Sequence, residues 1–68
     1  MSFYRIIELV GTSEVSWEDA AKNTVETARK SLRDLCIGEV TKLDLKIEDG
    51  KLVYCTRLNL SFKYTGSE

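Results

Sequence analysis

Residues 37–64 form two runs of alternating apolar and polar residues, joined by Glu48-Asp49-Gly50-Lys51. The Asp-Gly pair favours a hairpin turn, because a type I′ turn needs a positive φ angle at both central residues. The second run carries Leu52, Tyr54, Thr56, Leu58, Leu60 and Phe62 on one face, and Val53, Cys55, Arg57, Asn59, Ser61 and Lys63 on the other. The pattern predicts a long β-hairpin with one face on a core and the other open to water or polar partners.

Two further elements are predicted before the hairpin. Tyr4 to Val10 has the composition of a strand, and its apolar residues on both faces indicate that another subunit covers one of them. Gly11-Thr12-Ser13 is expected to end this strand. Ser16 is a good N-cap, with Asp19 three positions later. An apolar stripe at helical spacing follows, which predicts a helix over residues 16–35: Trp17, Ala21, Val25, Ala28, Leu32 and Leu35.

The order β-α-β-β predicts an α+β fold. If the helix crosses between parallel outer strands, the last strand fits between them and runs antiparallel to both. The result is a three-stranded antiparallel sheet with one helix packed on it, in a single domain over residues 1–68. One helix covers only one face of such a sheet.

The chain is short, with 68 residues, two cysteines and no histidine. Domains of this size are usually stabilised by disulfides, a metal or oligomerisation. Two cysteines make no disulfide framework, so we expect reduced thiols in a cytoplasmic protein that self-associates.

The charge pattern limits the classes of partner that we expect the chain to bind. Ten basic and eleven acidic residues give a net charge of −1, without the basic excess of a nucleic-acid-binding protein. Neither a signal peptide nor a run of roughly 18 apolar residues is present, so no membrane association is expected.

The chain resembles the dodecin family from Tyr4 to Lys63. The resemblance rests on Val10-Gly11-Thr12-Ser13, a capped helix starting at Ser16-Trp17, Glu39-Val40 opening the hairpin, and Ser61-Phe62 near its end. It implies a hollow homododecamer of sheet-wrapped helices. Many dodecins bind flavins in pairs between subunits.

The flavin contacts are where this sequence departs from the family. Typical dodecins stack a tryptophan on the flavin ring, and Ile37 stands at that position. They also bind the polar edge of the flavin with a glutamine, where this chain has Cys55. The chain therefore looks like the branch that lacks the tryptophan, in which calcium binding has been described. The resemblance supplies no calcium ligands.

The family pocket positions Ile37, Cys55 and Arg57 are the candidate ligand-binding residues. Ile37 and Cys55 line a remodelled pocket or fill a subunit contact. Arg57 binds an anion, or it pairs with a carboxylate of another subunit such as Asp44 or Glu39. Trp17 starts the apolar stripe and is expected in the contact between helix and sheet, or at a subunit contact. The carboxylates of Asp44, Glu48 and Asp49 lack EF-hand spacing, so a metal site would form only where subunits meet.

We predict no enzymatic activity, because no nucleophile has an evident base and no carboxylate pair lies at fixed spacing in an apolar setting. The sequence favours a homododecamer that binds or stores a small ligand. The alternatives are a flavin in an altered pose, calcium binding, and a structural assembly without a ligand.

Overall fold

The computed structural model describes residues 3–64, with side chains described as far as Lys63. Its elements are β1 (Phe3–Ser13), α1 (Trp17–Arg29), β2 (Leu35–Glu48) and β3 (Lys51–Tyr64). β3 lies between β1 and β2 and is antiparallel to both. The predicted β-α-β-β order and α+β fold are confirmed. Over the described residues, the structure contains no helix with the length and apolar character needed to cross a membrane.

The hairpin turn forms where the Asp-Gly pair predicts it. Glu48 pairs with Lys51 across the turn. Asp49 has φ 54° and Gly50 has φ 77°, which is the left-handed backbone that a type I′ turn requires at both positions.

One face of the sheet carries the core. Thr56, Leu58 and Leu60 on the central strand are buried beneath the helix, together with Ala20 on the helix itself. The Thr56 hydroxyl donates a hydrogen bond of 3.1 Å to the Trp17 carbonyl oxygen, so the one buried polar side chain that the structure describes on this face is satisfied. We call this side of the sheet the helix face.

The helix begins where predicted but ends earlier. Ser16 is the N-cap, and its hydroxyl accepts a 3.0 Å hydrogen bond from the Asp19 backbone N–H. The helix stops at Arg29 rather than at residue 35. Asp34 has φ 57°, and Leu35 already pairs with Phe62 in the sheet. The apolar stripe continued to Leu35 because the turn and the first strand residue face the same core, so periodicity alone misplaced the boundary.

Strand β1 is longer than predicted, since Gly11-Thr12-Ser13 continues it instead of ending it. Gly11 pairs with Thr56 and lies directly under the helix. A Cβ built on Gly11 would collide with the Thr24 hydroxyl and would lie 2.8 Å from the Ala20 carbonyl oxygen. The glycine therefore permits close helix packing and is not a strand breaker.

The molecule is elongated and leaves much apolar surface exposed. Its dimensions are 50 × 20 × 16 Å and its radius of gyration is 13.9 Å, against about 11 Å for a compact domain of this length. The large hydrophobic side chains that are exposed among the described residues are Phe3, Tyr4, Ile6, Val10, Val15, Ile37, Val40, Leu43, Leu45, Ile47 and Leu52. Exposure on this scale indicates surfaces that another chain covers.

Candidate functional site

On the side of the sheet opposite the helix, the central strand presents mostly polar side chains. We call it the open face. On β3 it carries Val53, Cys55, Arg57, Asn59, Ser61 and Lys63. Cys55, Arg57, Asn59 and Ser61 are half-buried, and Val53 is buried although the sequence placed it on the wet side.

All three candidate ligand-binding residues lie on the open face, but one chain does not bring them together. Cys55 and Arg57 are neighbours on β3, whereas Ile37 lies on β2 opposite Ser61. At roughly 3.3 Å per residue along β3, Ser61 beside Ile37 is about 13 Å from Arg57 and about 20 Å from Cys55. Ile37 is 62% exposed. Any ligand touching both ends of this set would have to be long or be held by more than one chain.

Two irregularities in β2 decide which of its side chains lie on the open face, and the alternating pattern of the sequence predicts neither. The register shifts between Leu35 and Ile37 and between Val40 and Lys42, so Cys36 and Thr41 are extra residues in bulges. Counted from the turn, Ile37 would oppose Phe62 on the helix face if Thr41 were not an extra residue. A signal was present, because strict alternation back from Leu43 would place charged Glu39 on the core side.

Arg57 has basic and apolar cross-strand neighbours. It pairs with Lys42 on β2 and with Val10 on β1. The Thr41 hydroxyl donates a 3.2 Å hydrogen bond to the Arg57 carbonyl oxygen, which closes the second bulge. Neither Asp44 nor Glu39 forms an ion pair with Arg57 within one chain. A carboxylate from another subunit or an anionic ligand therefore stays a prediction.

The carboxylates near the turn do not make a metal site within one chain. Asp44, Glu48 and Asp49 are exposed, and Glu48 forms an exposed 3.8 Å ion pair with Lys46. Over residues 3–64 no three His, Cys, Asp or Glu side chains are grouped so that they could hold a metal ion. Calcium takes 6 to 8 oxygen ligands, more than any cluster here supplies.

Trp17 lies on the helix face, as predicted for a residue of the contact between helix and sheet. Its ring meets Tyr54 edge to face, with centroids 5.1 Å apart and planes at 80°. The indole Nε1 donates a 3.0 Å hydrogen bond to the Asp44 carbonyl oxygen. The ring thus lies on the side of the sheet away from Ile37 and Cys55. Within one chain it therefore cannot stack on a ligand bound at the open face.

The comparisons with known proteins agree on one family. The Dodecin family model matches residues 3–65. Calcium dodecin of Mycobacterium tuberculosis is 41% identical over 64 residues, covering 93% of this chain and 90% of the relative.

Two solved structures show the same fold. The crystal structure of calcium dodecin from Mycobacterium tuberculosis, described as calcium chelating with a novel calcium-binding site, superposes with a TM-score of 0.84 at 37% identity and covers 97% of this chain and 96% of that chain. Dodecin from Streptomyces coelicolor gives a TM-score of 0.88 at 37% identity, with the same coverage of 97% and 96%. The chain belongs to the dodecin family.

Proposed function

We propose that this chain is the subunit of a homododecamer that binds and stores a small ligand between subunits, without transforming it. The observation that carries the proposal is the arrangement of the open face. Its candidate residues Ile37, Cys55 and Arg57 face one way from an uncovered sheet, yet they are too far apart to form a pocket in one chain. A second copy facing the same surface would close the space between them.

The exposed apolar surface supports the assembly. Tyr4, Ile6 and Val10 on β1 and Ile37 on β2 are all more than half exposed on the open face. In a monomer these apolar side chains stay in contact with water and contribute no burial energy, whereas association would remove them from solvent. Small domains without disulfides or a metal commonly reach stability in this way.

The ligand we propose is a cation or another small molecule rather than a flavin in its usual pose. Ile37 offers no aromatic face for ring stacking, and the Cys55 thiol is a weak donor and acceptor where an amide would bind the polar edge of the flavin. The alternative hypothesis that keeps a flavin as the ligand has it bound in an altered pose.

Calcium is the first cation to test, because the relative from Mycobacterium tuberculosis is a calcium dodecin. No single chain offers enough grouped oxygen ligands over residues 3–64. Exposed carboxylates such as Asp44 would therefore have to meet those of other subunits at a symmetry axis.

The cytoplasmic location stays a prediction. Cys36 and Cys55 are both free thiols, which suits a reducing compartment.

One experiment tests assembly and ligand together. The purified protein is measured by light scattering with an absorbance scan of the same peak, and then titrated with calcium by calorimetry after treatment with a chelator. We expect a mass twelve times the 7.7 kDa of one chain, no flavin bands, and saturable heat with calcium. A monomer would contradict the assembly. A dodecamer with flavin bands would contradict our choice of ligand, and one without bands or heat would favour a purely structural shell.

A further inference from the structure

The hairpin turn places an aspartate next to a glycine at an exposed end of the molecule. Residues 41–52 are all exposed. Strand β1 ends at Ser13, opposite Tyr54, and the helix begins at Trp17, which packs on the same tyrosine. From Tyr54 to the turn, the hairpin is therefore a two-stranded ribbon. A Cβ built on Gly50 would meet no atom within 4 Å, so the turn itself is open on all sides.

Little holds the end of this ribbon closed. Ile47 and Leu52 face each other across the strands beside the turn, but they are 71% and 43% exposed. The 3.8 Å ion pair between Lys46 and Glu48 is also exposed, and such pairs add little stability. Local opening costs little free energy where few apolar contacts are buried, and a two-stranded hairpin is marginally stable by itself. The two turn residues can therefore leave their left-handed conformation at low cost.

The groups that can react with each other in this turn are free. The Gly50 backbone N–H donates no hydrogen bond to any described residue. The Asp49 carboxylate has neither a hydrogen bond nor an ion pair within the described part of the chain. Because glycine has no Cβ, its backbone rotates with little hindrance. Once the turn opens, the Gly50 nitrogen can reach the Asp49 side-chain carbon.

The three other aspartates of the chain lack this combination. The carboxylate of Asp19 accepts hydrogen bonds from the Ser13 hydroxyl at 2.6 Å and from the Asn23 amide at 3.1 Å. Asp34 and Asp44 are each followed by a leucine, whose side chain hinders attack by its own nitrogen. Only the aspartate of the turn joins a free carboxylate to a following glycine.

We infer that Asp49-Gly50 is a site of spontaneous isoaspartate formation. The Gly50 nitrogen attacks Cγ of the protonated Asp49 carboxyl group, and a C–N bond forms. The nitrogen's proton and the carboxyl hydroxyl leave as water, which gives a succinimide ring. Water then opens the ring at the Asp49 main-chain carbonyl, so that the chain runs through Cγ and the α-carboxylate is free. The two steps release and consume one water, and they need neither an oxidant nor a reductant.

The product is incompatible with the turn that the structure shows. An isoaspartate adds one backbone atom between residues 49 and 50, whereas a two-residue turn of defined type fixes the register of a hairpin. We expect the pairing of Glu48 with Lys51 to be lost and the end of the hairpin to loosen. The inference goes beyond the proposed function, because the reaction needs neither a ligand nor a second subunit.

Peptide mapping of the intact protein tests the inference. The purified protein, in the oligomeric state in which it is obtained, is kept for several weeks at neutral pH and physiological temperature in water enriched in heavy oxygen. Trypsin then releases residues 47–51, which follow Lys46 and end at Lys51. Electron-transfer fragmentation distinguishes isoaspartate from aspartate. We expect isoaspartate at position 49 that carries one heavy oxygen from the ring opening, with none at Asp44 and none in a sample digested at the start.

Two variants separate the chemistry from the stability of the turn. Gly50→Asn keeps a residue that tolerates a left-handed backbone but adds a side chain to the attacking residue, so we expect several-fold less isoaspartate. Asp49→Asn forms the same ring by releasing ammonia, which leaves an amide more readily than water leaves a carboxylate, so it should react several-fold faster than the parent. Circular dichroism of fresh samples checks that both variants fold. No isoaspartate above the starting sample, or equal amounts in the parent and Gly50→Asn, overturns the inference and leaves the proposed function standing.

Discussion

Gly11 on β1 lies directly beneath Thr24 on the helix, so closely that a Cβ on the glycine would overlap the threonine hydroxyl. The Thr24 hydroxyl also donates a 2.8 Å hydrogen bond to the Ala20 carbonyl oxygen, and that oxygen would lie 2.8 Å from the added Cβ. The Ala20 carbonyl oxygen and the Thr24 hydroxyl of the helix are thus both in contact range of Gly11. This contact sets how closely the helix approaches the sheet.

Gly11→Ala should therefore destabilise the fold. The added methyl group cannot be accommodated by a side-chain movement alone, because one of its neighbours is a backbone carbonyl. We expect a loss of about 1–3 kcal/mol in the free energy of unfolding, the usual cost of overpacking. Denaturant unfolding at fixed protomer concentration measures it, since association also shifts apparent stability.

Two variants control this prediction. Thr12→Ala changes the next strand residue, which is exposed, and should stay within about 0.5 kcal/mol of the parent. Thr24→Ala combined with Gly11→Ala removes the hydroxyl but not the Ala20 carbonyl, so it should recover part of the loss. If Gly11→Ala unfolds like Thr12→Ala, the close contact is not present in solution.

The indole of Trp17 joins the start of the helix to the hairpin through both its ring and its N–H. Trp17→Phe keeps an aromatic edge for Tyr54 but loses the donor to the Asp44 carbonyl oxygen, so we expect a cost of about 1 kcal/mol. Trp17→Ala also loses the ring and should cost about 3–5 kcal/mol. Thermal unfolding by circular dichroism measures both. Equal costs for the two variants would show that the N–H, and not the ring, makes the whole contribution.

The sequence predicted the turn and the helix start because each depends on local chemistry, and it predicted the strand order because connection rules leave few arrangements for a β-α-β-β chain. An Asp-Gly pair, a serine N-cap and strict alternation act over a few residues. The helix end and the extension of β1 depend instead on tertiary contacts. Leu35 joins the sheet by pairing with Phe62, and Gly11 stays in the strand because the helix lies over it.

The candidate site was predictable only as a set of residues on one face. Cys55 and Arg57 share that face by strand periodicity, which the sequence shows. Ile37 reaches it through the bulge at Thr41, which strict alternation does not predict. Whether these residues act together depends on a second chain, and no pattern within one chain gives the positions of another.

The turn at Asp49 and Gly50 should tolerate only residues that accept a left-handed backbone. Gly50 has φ 77° and no atoms within 4 Å of an added Cβ, so Gly50→Ala would be strained by its backbone alone. We expect a loss of about 1 kcal/mol in the free energy of unfolding. Asp49→Asn is the matched control, because asparagine tolerates φ 54° as well as aspartate does. A neutral Gly50→Ala would indicate that the turn adopts another type in solution.

The positions of the family's flavin contacts can be tested by restoring them. Ile37→Trp with Cys55→Gln supplies a stacking ring and an amide on the open face, where the structure places both positions. If subunits close this surface into a pocket, the double variant should quench the fluorescence of added riboflavin far more than the parent does, at equal protein concentration. Trp17 is shared by both proteins and lies on the helix face, so it does not contribute to the difference. The matched control moves the new tryptophan to the helix face at Val40→Trp and keeps Cys55→Gln, and it should quench no more than the parent. Equal quenching by the double variant and this control would show that Ile37 and Cys55 do not form the flavin-contact positions.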